Sequence, residues 1–261
     1  MNNQNSDKPS SARMYDYWLG GHHHSPIDRA AAQAIEGMID ARALAQINRQ
    51  FLKDTVSWIA QQGINQFIDV GSGIPTQENV HEVAQKVNPK TRVVYVDNDP
   101  TAIIHSRSIL GVNHPTVAII QADMREPNTI LTHFDTQRLI DFSQPVALLF
   151  FAMLHFVPDN EEVYHLMRQY RDATIRGSYL VVSHGVDTQP NDTTRAVERE
   201  SVRQIYQGNV AMRSVDDVQP IWDGYQLMKP GFVSAQIWSG KQKMPHDYGP
   251  GDIYGGIGRK L

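Results

Sequence analysis

Short apolar runs alternate with segments of helical periodicity through the middle of the chain. The apolar runs predict five strands, over residues 65–70, 91–97, 116–123, 145–153 and 177–184. The segments between them predict four helices, over residues 75–87, 100–110, 126–140 and 159–174. Apolar strands at this spacing, with a helix in every gap, predict right-handed crossovers and a parallel sheet with both faces covered. The sequence therefore predicts an α/β fold.

The two ends of the chain follow a different pattern. Apolar residues at helical spacing predict helices over residues 30–39 and 41–60, the second stopped by Gly63. Residues 186–224 are polar, mostly helical and too long for a simple crossover, which predicts a lid or insertion over a binding site. A further strand is predicted after Pro230, and residues 1–8 are polar enough to predict disorder. We therefore divide the chain into a helical extension, 1–62, and a main domain, 63–261.

Composition and charge narrow the class of protein. The 261 residues carry a formal net charge of −4, which argues against a nucleic-acid partner because phosphate binding calls for a basic excess. The chain has no cysteine, which removes disulfides and thiolate metal sites and is compatible with a reducing cytoplasm. Its first residues lack the apolar core of a signal peptide, and its most apolar run, Val146–Leu154, is too short to span a bilayer. We expect a soluble cytoplasmic protein without a membrane partner.

Residues suited to binding or catalysis follow one predicted strand after another. In an open parallel sheet, ligands bind beyond the carboxyl ends of the strands, where the strand order reverses. One carboxylate at such an end means little, but three successive strands ending in aspartate indicate a shared crevice. The residues at these ends are Asp69, Gly71, Gly73, Asp97, Asp99, Asp123, His155 and His184.

The turn after the first predicted strand combines two glycines with a proline. Gly71 and Gly73 allow a tight bend and a close approach to a ligand, and the helix that follows offers free N–H groups to a carboxylate or phosphate. Pro75 is compatible with a helix start because its missing N–H would be unpaired there. The dinucleotide fingerprint would have glycine where this chain has Thr76. A plain tight turn remains the alternative.

The acidic residues after the second and third strands each have two interpretations. Asp97 is placed to accept hydrogen bonds from the hydroxyls of an adenosine ribose, whereas Asp99, before Pro100, is better placed to cap the next helix. Asp123 could pair with an adenine amino group while Met124 packs on the ring, or it could be a helix cap. A metal site at the Asp97–Asp99 triplet is disfavoured because no further carboxylate cluster supports it.

Several motifs together resemble a known enzyme superfamily. "DVGSG", "VVYVDND", "QADM" and "VALLFFAMLHFVPD" occur in the order and spacing of class I S-adenosylmethionine-dependent methyltransferases. More narrowly, the chain resembles a bacterial methyltransferase family, formerly a domain of unknown function, with an N-terminal "YDYLLGG"-type signature. That signature is "RMYDYWLGG" here, and "NRQFL", "GSGIPTQENVHEVAQ", "YVDNDP" and "HFVPD" also match. The resemblance runs from about Ser10 to Lys260, and Pro75 is normal for this family.

The resemblance implies a fold and a set of cofactor contacts. It implies a Rossmann-like seven-stranded sheet of order 3-2-1-4-5-7-6, with helices on both faces and "DIYGGIGRK" as an antiparallel last strand between strands five and six. The extension would cover the cofactor. The implied cofactor-binding residues are Gly71, Ser72 and Gly73 at the methionine portion, Asp97 at the ribose and Asp123 with Met124 at the adenine, together with Pro75 and Asn98. Ala152 and His155 would border the sulfonium and the acceptor.

Histidines supply the candidate bases. His155 is the best candidate by position and His184 the second, although each could instead have a structural role. His22, His23 and His24 are adjacent, and neighbouring side chains do not naturally point at one ion, so a loop role at the pocket edge or in solvent is favoured over a metal site.

Residues of the N-terminal signature and of "NRQFL" have open roles. Tyr15, Asp16 and Tyr17 belong to the predicted cover, and Tyr15 with Trp18 could instead anchor its core. Arg49 could pair with Asp16, touch the cofactor carboxylate or lie on the surface.

The function implied is S-adenosylmethionine-dependent methyl transfer to a small-molecule acceptor, without a metal. One alternative is a protein that binds S-adenosylmethionine or S-adenosylhomocysteine without catalysis. Another is an NAD-dependent oxidoreductase, which Thr76 and the lack of a clear Tyr-x-x-x-Lys pair argue against.

Overall fold

The computed structural model describes residues 8–75, 78–111, 114–189, 191–193, 196–240 and 251–261. Its strands are β1 (Gln66–Val70), β2 (Arg92–Asp97), β3 (Val117–Gln121), β4 (Ala147–Phe151), β5 (Tyr179–Asp187), β6 (Tyr225–Leu227), β7 (Val233–Ser234) and β8 (Gly251–Lys260). Its helices are α1 (Ser11–Trp18), α2 (Pro26–Glu36), α3 (Ala41–Gln61), α4 (Val80–Val87), α5 (Pro100–Leu110), α6 (Pro127–Leu131), α7 (Phe134–Leu139), α8 (Asn160–Asp172), α9 (Ala196–Ile205), α10 (Val215–Val218) and α11 (Ala235–Trp238). The predictions for residues 1–7 and Thr76 lie outside the described residues.

The strands form one open sheet of order β3-β2-β1-β4-β5-β8-β6, with the two-residue β7 also paired to β8. The first five strands are parallel, and β8 is antiparallel to both neighbours. This order confirms the predicted Rossmann-like sheet, with β8 as its last strand. A strand was predicted after Pro230, and the two-residue β7 lies there; β6, which takes the end position in the sheet order, precedes Pro230 and was not predicted.

Two predicted boundaries at the sheet edge are wrong. The helix after the glycine turn begins at Val80 rather than Pro75, because Asn79 and Glu82 form a capping box there. Strand β5 continues three residues past His184 to Asp187, because its ladder with β8 extends to Gly251. His184 therefore lies inside a strand rather than at its end.

The predicted helix over 126–140 is two short helices. His133 interrupts it, and its ring accepts a hydrogen bond from the Asp135 N–H (3.1 Å) at the start of α7. Such a side chain offers the backbone an alternative to continuing the helix, which apolar periodicity does not reveal.

Alternate strand residues pack into two cores. Ile68 and Phe150 point to the face covered by α6, α7 and α8, and Phe67 and Leu149 point to the face covered by α3 and α4. Phe51 of α3 belongs to the second core, although it precedes the boundary drawn at residue 62. The extension's own cluster contains Met14, Trp18, Ile35 and the first turns of α3.

A polar latch joins the extension to the loop after β2. The Arg13 Nε lies 2.6 Å from the fully buried Asp28 Oδ2, and the Arg13 Nη1 donates to the Thr101 hydroxyl (3.2 Å). The Ser10 hydroxyl donates to Asp99. These bonds hold α1 beside the carboxyl end of β2. No helix in the described part of the chain is long and apolar enough to cross a membrane.

Candidate active site

A cavity of about 230 Å³ lies at the carboxyl ends of the strands, between the sheet, α1–α3 and the segment after β5. Of the residues predicted for the site, the cavity brings together Gly71, Ser72, Gly73, Asp97, Asn98, Ala152 and His155. Four others lie outside its lining: Pro75, Asp123, Met124 and His184. The crevice expected from the strand ends therefore exists, and it takes in part of the predicted set.

The two glycines of the turn have different roles. Both have positive φ, +78° at Gly71 and +62° at Gly73, and the Gly71 and Ser72 N–H groups donate to the Val96 carbonyl. A Cβ on Gly71 would lie 2.1 Å from the Met153 sulfur, whereas a Cβ on Gly73 would meet nothing within 4 Å. Gly71 therefore accommodates Met153, and Gly73 leaves its backbone open to the cavity.

We expect Gly71→Ala to destabilise the protein by about 2–3 kcal/mol, because it combines the cost of positive φ with displacement of Met153. Gly63→Ala is the matched control, since Gly63 has φ +89° but nothing within 4 Å of an added Cβ. It should cost about 1 kcal/mol. Urea unfolding of both variants measures the difference, and equal losses would mean that the Met153 contact contributes nothing.

Asp97 connects the glycine turn to the loop after β2. Its Oδ2 accepts the Gly73 N–H (2.8 Å) and its Oδ1 accepts the Asp99 N–H (2.9 Å). Burial raises the pKa of Asp97. Each oxygen keeps a lone pair for a ligand hydroxyl, so both a structural and a ribose-binding role fit. Asp99 caps α5 through the Thr101 N–H (2.8 Å), as its position before Pro100 suggests.

Asp69 and Arg49 bring opposite charges to the cavity without bonding to each other. The Asp69 carboxyl is 5% exposed, and burial raises its pKa to about 7, with Arg49 opposing the shift and Asp97 adding to it. Within the described residues, neither side chain makes a hydrogen bond or a close ion pair. Asp16, one predicted partner of Arg49, instead lies 3.5 Å from the His23 ring. Both groups are available to a ligand.

A hydrogen-bond chain that sequence reasoning missed supports Ala152, which has a left-handed backbone (φ +53°). The Ala152 N–H donates to the Ser183 hydroxyl (2.9 Å), which donates to Asn48 Oδ1 (2.6 Å). Asn48 Nδ2 donates to the Tyr15 hydroxyl (2.9 Å). These hydrogen bonds therefore connect Ala152, whose backbone is strained, to α3 and to the helical extension. The sequence does contain one signal for these bonds: Asn48 and Ser183 are polar residues on otherwise apolar faces of α3 and β5.

His155 lines the cavity from a short 3₁₀ turn, Leu154–Phe156, that follows β4. Its Nδ1 is buried and has no hydrogen-bond partner among the described residues. Burial, helped by the charge of Arg213, lowers the pKa of His155 to about 4. The ring is therefore neutral at pH 7 and can accept a hydrogen bond, although a pKa this low makes it a weak base.

His184 is engaged by protein groups rather than exposed to the cavity. Its Nε2 lies 3.2 Å from an Arg213 Nη1, and its Nδ1 lies 2.7 Å from the Gly185 carbonyl. Because a guanidinium can only donate, Nε2 is the acceptor and Nδ1 carries the hydrogen. Burial, with His155 and Arg213, lowers the pKa of His184 well below its usual range. Both nitrogens are used, so we do not carry His184 forward as a base.

Arg213 connects the segment after β5 to the turn that carries His155. Its guanidinium is 3% exposed and donates to the Leu154 carbonyl (3.0 Å), the Val157 carbonyl (2.6 Å) and Asn160 Oδ1 (2.6 Å). The His155 carbonyl accepts the Ala211 N–H (2.8 Å). Sequence reasoning missed Arg213, because its partners are mostly backbone carbonyls.

The segment predicted as a lid contributes to the cavity wall. Val202, Tyr206, Val210 and Met212 line the cavity, and the Tyr206 ring packs edge-on against Phe156 at 5.5 Å. The wall opposite the sheet is therefore apolar and aromatic.

Asp123 and Met124 have structural partners. Asp123 Oδ1 accepts the Arg125 N–H (2.9 Å), and Met124 is buried with its carbonyl accepting the Tyr170 hydroxyl (2.9 Å). Their contacts with an adenine stay predictions, as does that of the buried Pro75.

The three adjacent histidines lie outside the cavity lining. The His23 N–H donates to Asp16 (2.8 Å), and the His23 ring packs edge-on against His105 at 4.6 Å. Across the described residues, no group of three or more His, Cys, Asp or Glu could hold a metal ion.

The strand order, with its glycine turn after β1 and acidic residue after β2, defines a Rossmann-like methyltransferase fold. The chain belongs to the S-adenosyl methyltransferase family, whose profile matches residues 2–261. It is an S-adenosylmethionine-dependent methyltransferase.

Solved structures agree with this family. A candidate methyltransferase from Thermobifida fusca is 37% identical, with 98% of this chain and 96% of that chain covered and a TM-score of 0.87. A DUF574 family protein from Streptomyces avermitilis is 32% identical, with 97% and 98% covered and a TM-score of 0.88. A plantazolicin methyltransferase solved with S-adenosylhomocysteine is similar in fold alone, at 11% identity, 96% coverage of both chains and a TM-score of 0.54. The search of curated proteins found no match.

Proposed function

We propose that this chain binds S-adenosylmethionine through Arg49, Asp69, the glycine turn and Asp97, and methylates a small molecule. The observation that carries the proposal is that Arg49 and Asp69 both line the cavity and have no partner among the described residues. A free amino acid group has one ammonium and one carboxylate, and these two side chains offer the opposite charges in one cavity. Asp97 adds acceptors for ribose hydroxyls, and Gly73 adds a backbone without steric hindrance. The residues present fit the cofactor.

The bound sulfonium supplies an activated methyl group, and the protein orients the acceptor and excludes water. The series of hydrogen bonds from Tyr15 through Asn48 and Ser183 to Ala152 fixes the Ala152 backbone, which borders the sulfonium in this proposal. His155 accepts a hydrogen bond or a proton from the acceptor. Its lowered pKa keeps it unprotonated at neutral pH.

The enclosure of the cavity supports a small-molecule acceptor. The extension and the segment after β5 both contribute to the walls, through residues such as Trp18 and Tyr206, so the site is covered on two sides. The formal net charge of −4 does not favour a nucleic-acid acceptor. We further propose a bacterial cytoplasmic location, which the cysteine-free composition supports.

Calorimetric titration tests the cofactor site directly. We expect S-adenosylhomocysteine and S-adenosylmethionine to bind, NAD not to bind, and Arg49→Met to weaken S-adenosylhomocysteine binding by about 1–3 kcal/mol. Lys53→Met, on the same helix α3, removes a half-buried charge that is paired with Glu78 outside the cavity lining, and it should leave the affinity unchanged. Equal affinities for the two variants would remove Arg49 from the site, and preferential NAD binding would overturn the assignment.

A further inference from the structure

The cavity has two halves of different chemistry. Over β1 and β2 it is lined by the charged side chains Arg49, Asp69 and Asp97, which the proposed function assigns to the cofactor. Over β4, β5 and β8 the lining is mainly apolar and aromatic. We call this part the acceptor half and define it by His155, Phe156, Tyr206, Val210 and Met212.

Rings dominate the walls of the acceptor half. The rings of His155 and Phe156 pack edge-on at 4.4 Å, and those of Phe156 and Tyr206 at 5.5 Å. Val210 and Met212 add aliphatic surface. Such a wall binds an apolar, ring-shaped body through area burial and edge-to-face contacts.

Two polar groups interrupt this apolar wall. Among the described residues, the His155 Nδ1 is buried without a hydrogen-bond partner, and the half-buried Tyr206 makes no hydrogen bond. A ligand that pairs with both therefore gains affinity, most of it at His155, where a buried polar atom without a partner is costly. A hydroxyl group does so, because it can donate to a neutral imidazole nitrogen and accept from a phenol.

Two charges border the acceptor half, and they are of opposite sign. Asp252 lines the cavity and its Oδ1 accepts the Ile253 N–H (2.7 Å). Arg213 lies behind His184 and is bonded to carbonyl oxygens, with none of the described carboxylates in ion-pair distance. Because the Arg213 guanidinium is engaged by protein acceptors and lies outside the cavity lining, an anionic ligand would lose its hydration in the acceptor half without a dedicated partner.

We propose that the acceptor half takes an uncharged aromatic compound with one hydroxyl, held between Tyr206 and His155, and that this hydroxyl is methylated. The inference rests on the proposed function. In the transfer, the acceptor oxygen bonds to the methyl carbon as the carbon–sulfur bond breaks, sulfur keeps that electron pair, and the hydroxyl proton leaves through His155 to water.

Three probes of equal ring size test the proposal by binding rather than turnover. 2-Naphthol carries the hydroxyl, naphthalene lacks it, and 2-naphthylmethylammonium is a cation. Each is titrated into the full-length protein saturated with S-adenosylhomocysteine, and binding is followed by naphthyl fluorescence. We expect 2-naphthol to bind about tenfold more tightly than either of the others.

Tyr206→Phe should remove most of the preference for 2-naphthol over naphthalene, because it deletes one hydroxyl and leaves the ring. Tyr164→Phe is the matched control, since its hydroxyl donates to the Asp217 carbonyl (2.7 Å) outside the cavity lining, and it should leave the preference intact.

Equal binding of 2-naphthol and naphthalene would overturn the proposal, and so would tighter binding of the cation, which would indicate an amine acceptor at Asp252. A preference for 2-naphthol that survives Tyr206→Phe would also overturn it. These outcomes are distinct from failure of the proposed function, which is the absence of S-adenosylhomocysteine binding in the same protein.

Discussion

Replacing Arg213 by methionine is expected to destabilise the protein by about 3–5 kcal/mol, the largest loss among the changes considered. The Arg213 side chain is 3% exposed and donates to three backbone carbonyls, an amide oxygen and the His184 ring. Methionine fills a similar volume but leaves these acceptors buried and unpaired, and each unpaired acceptor costs about 1–3 kcal/mol. Urea unfolding measures this loss as a lower midpoint, and an unchanged m-value shows that the shift reports stability alone.

Arg203→Met provides the control. Arg203 lies on α9 in the same segment, and its guanidinium forms an exposed pair with Glu200 (3.7 Å), so its replacement should change stability by less than about 0.5 kcal/mol. If Arg213→Met proved as mild as this control, Arg213 would not hold the His155 turn. If the variant is too unstable to purify, Arg213→Lys, which keeps the charge but not the fork of donors, should show a smaller loss in the same direction.

Asp69→Asn is expected to make the protein more stable and its cofactor binding weaker. The carboxyl has a pKa of about 7 when folded, against 3.8 as its ordinary value. A raised pKa means that burying the ionised form costs stability. This cost is absent below about pH 4, grows as the pH rises towards 7, and is complete above 7. At pH 8 the variant should therefore gain roughly 1–3 kcal/mol of stability without ligand, and at pH 4 it should gain nothing.

Binding should change in the opposite direction. Asparagine offers no negative charge to an ammonium group, so S-adenosylhomocysteine affinity at pH 8 should fall about tenfold to a hundredfold. Below pH 7 the wild-type protein must release a proton from Asp69 as the ligand binds, so its calorimetric enthalpy should depend on the buffer, and that of the variant should not. Asp216→Asn, at an exposed position, controls for net charge. Unchanged affinity in Asp69→Asn would exclude Asp69 from the ammonium site.

Much of the sheet could be predicted because parallel strands are buried on both faces. Continuous apolar runs such as Val146–Phe151 are a local signal, and their spacing leaves room for one helix in each gap. The glycine turn and Asp97 could be predicted as site residues for a similar reason, because ligands of open parallel sheets bind beyond the carboxyl ends of the strands. Element ends were less predictable. Asn79 and His133 set them through side chain–backbone bonds that apolar periodicity does not report.

The site was predicted in part, because its residues come from distant segments. Arg49 was left with three possible roles, and the structure brings it to the cavity with Asp69 because α3 packs against the sheet. The partners of Ser183, Asn48 and Arg213 could not be read from the sequence, since they lie at least 29 positions away. The strand end predicted at His184 was wrong for a related reason: β5 is extended by its ladder with β8, which is distant in the sequence.

The sequence by itself determined the parallel strands, the ligand edge and the family motifs, because these depend on local periodicity and short spacing. The glycine-rich end shows what it could not determine. By local propensity alone "GPGDIYGGIGRKL" suggests a flexible tail, yet most of it forms β8 in the middle of the sheet. A Cβ on Gly255 would lie 2.5 Å from the Phe51 ring, so the missing side chain makes room for α3. Glycine is favoured at this position by a contact across 204 residues of sequence, and a contact of that range exists only in the folded molecule.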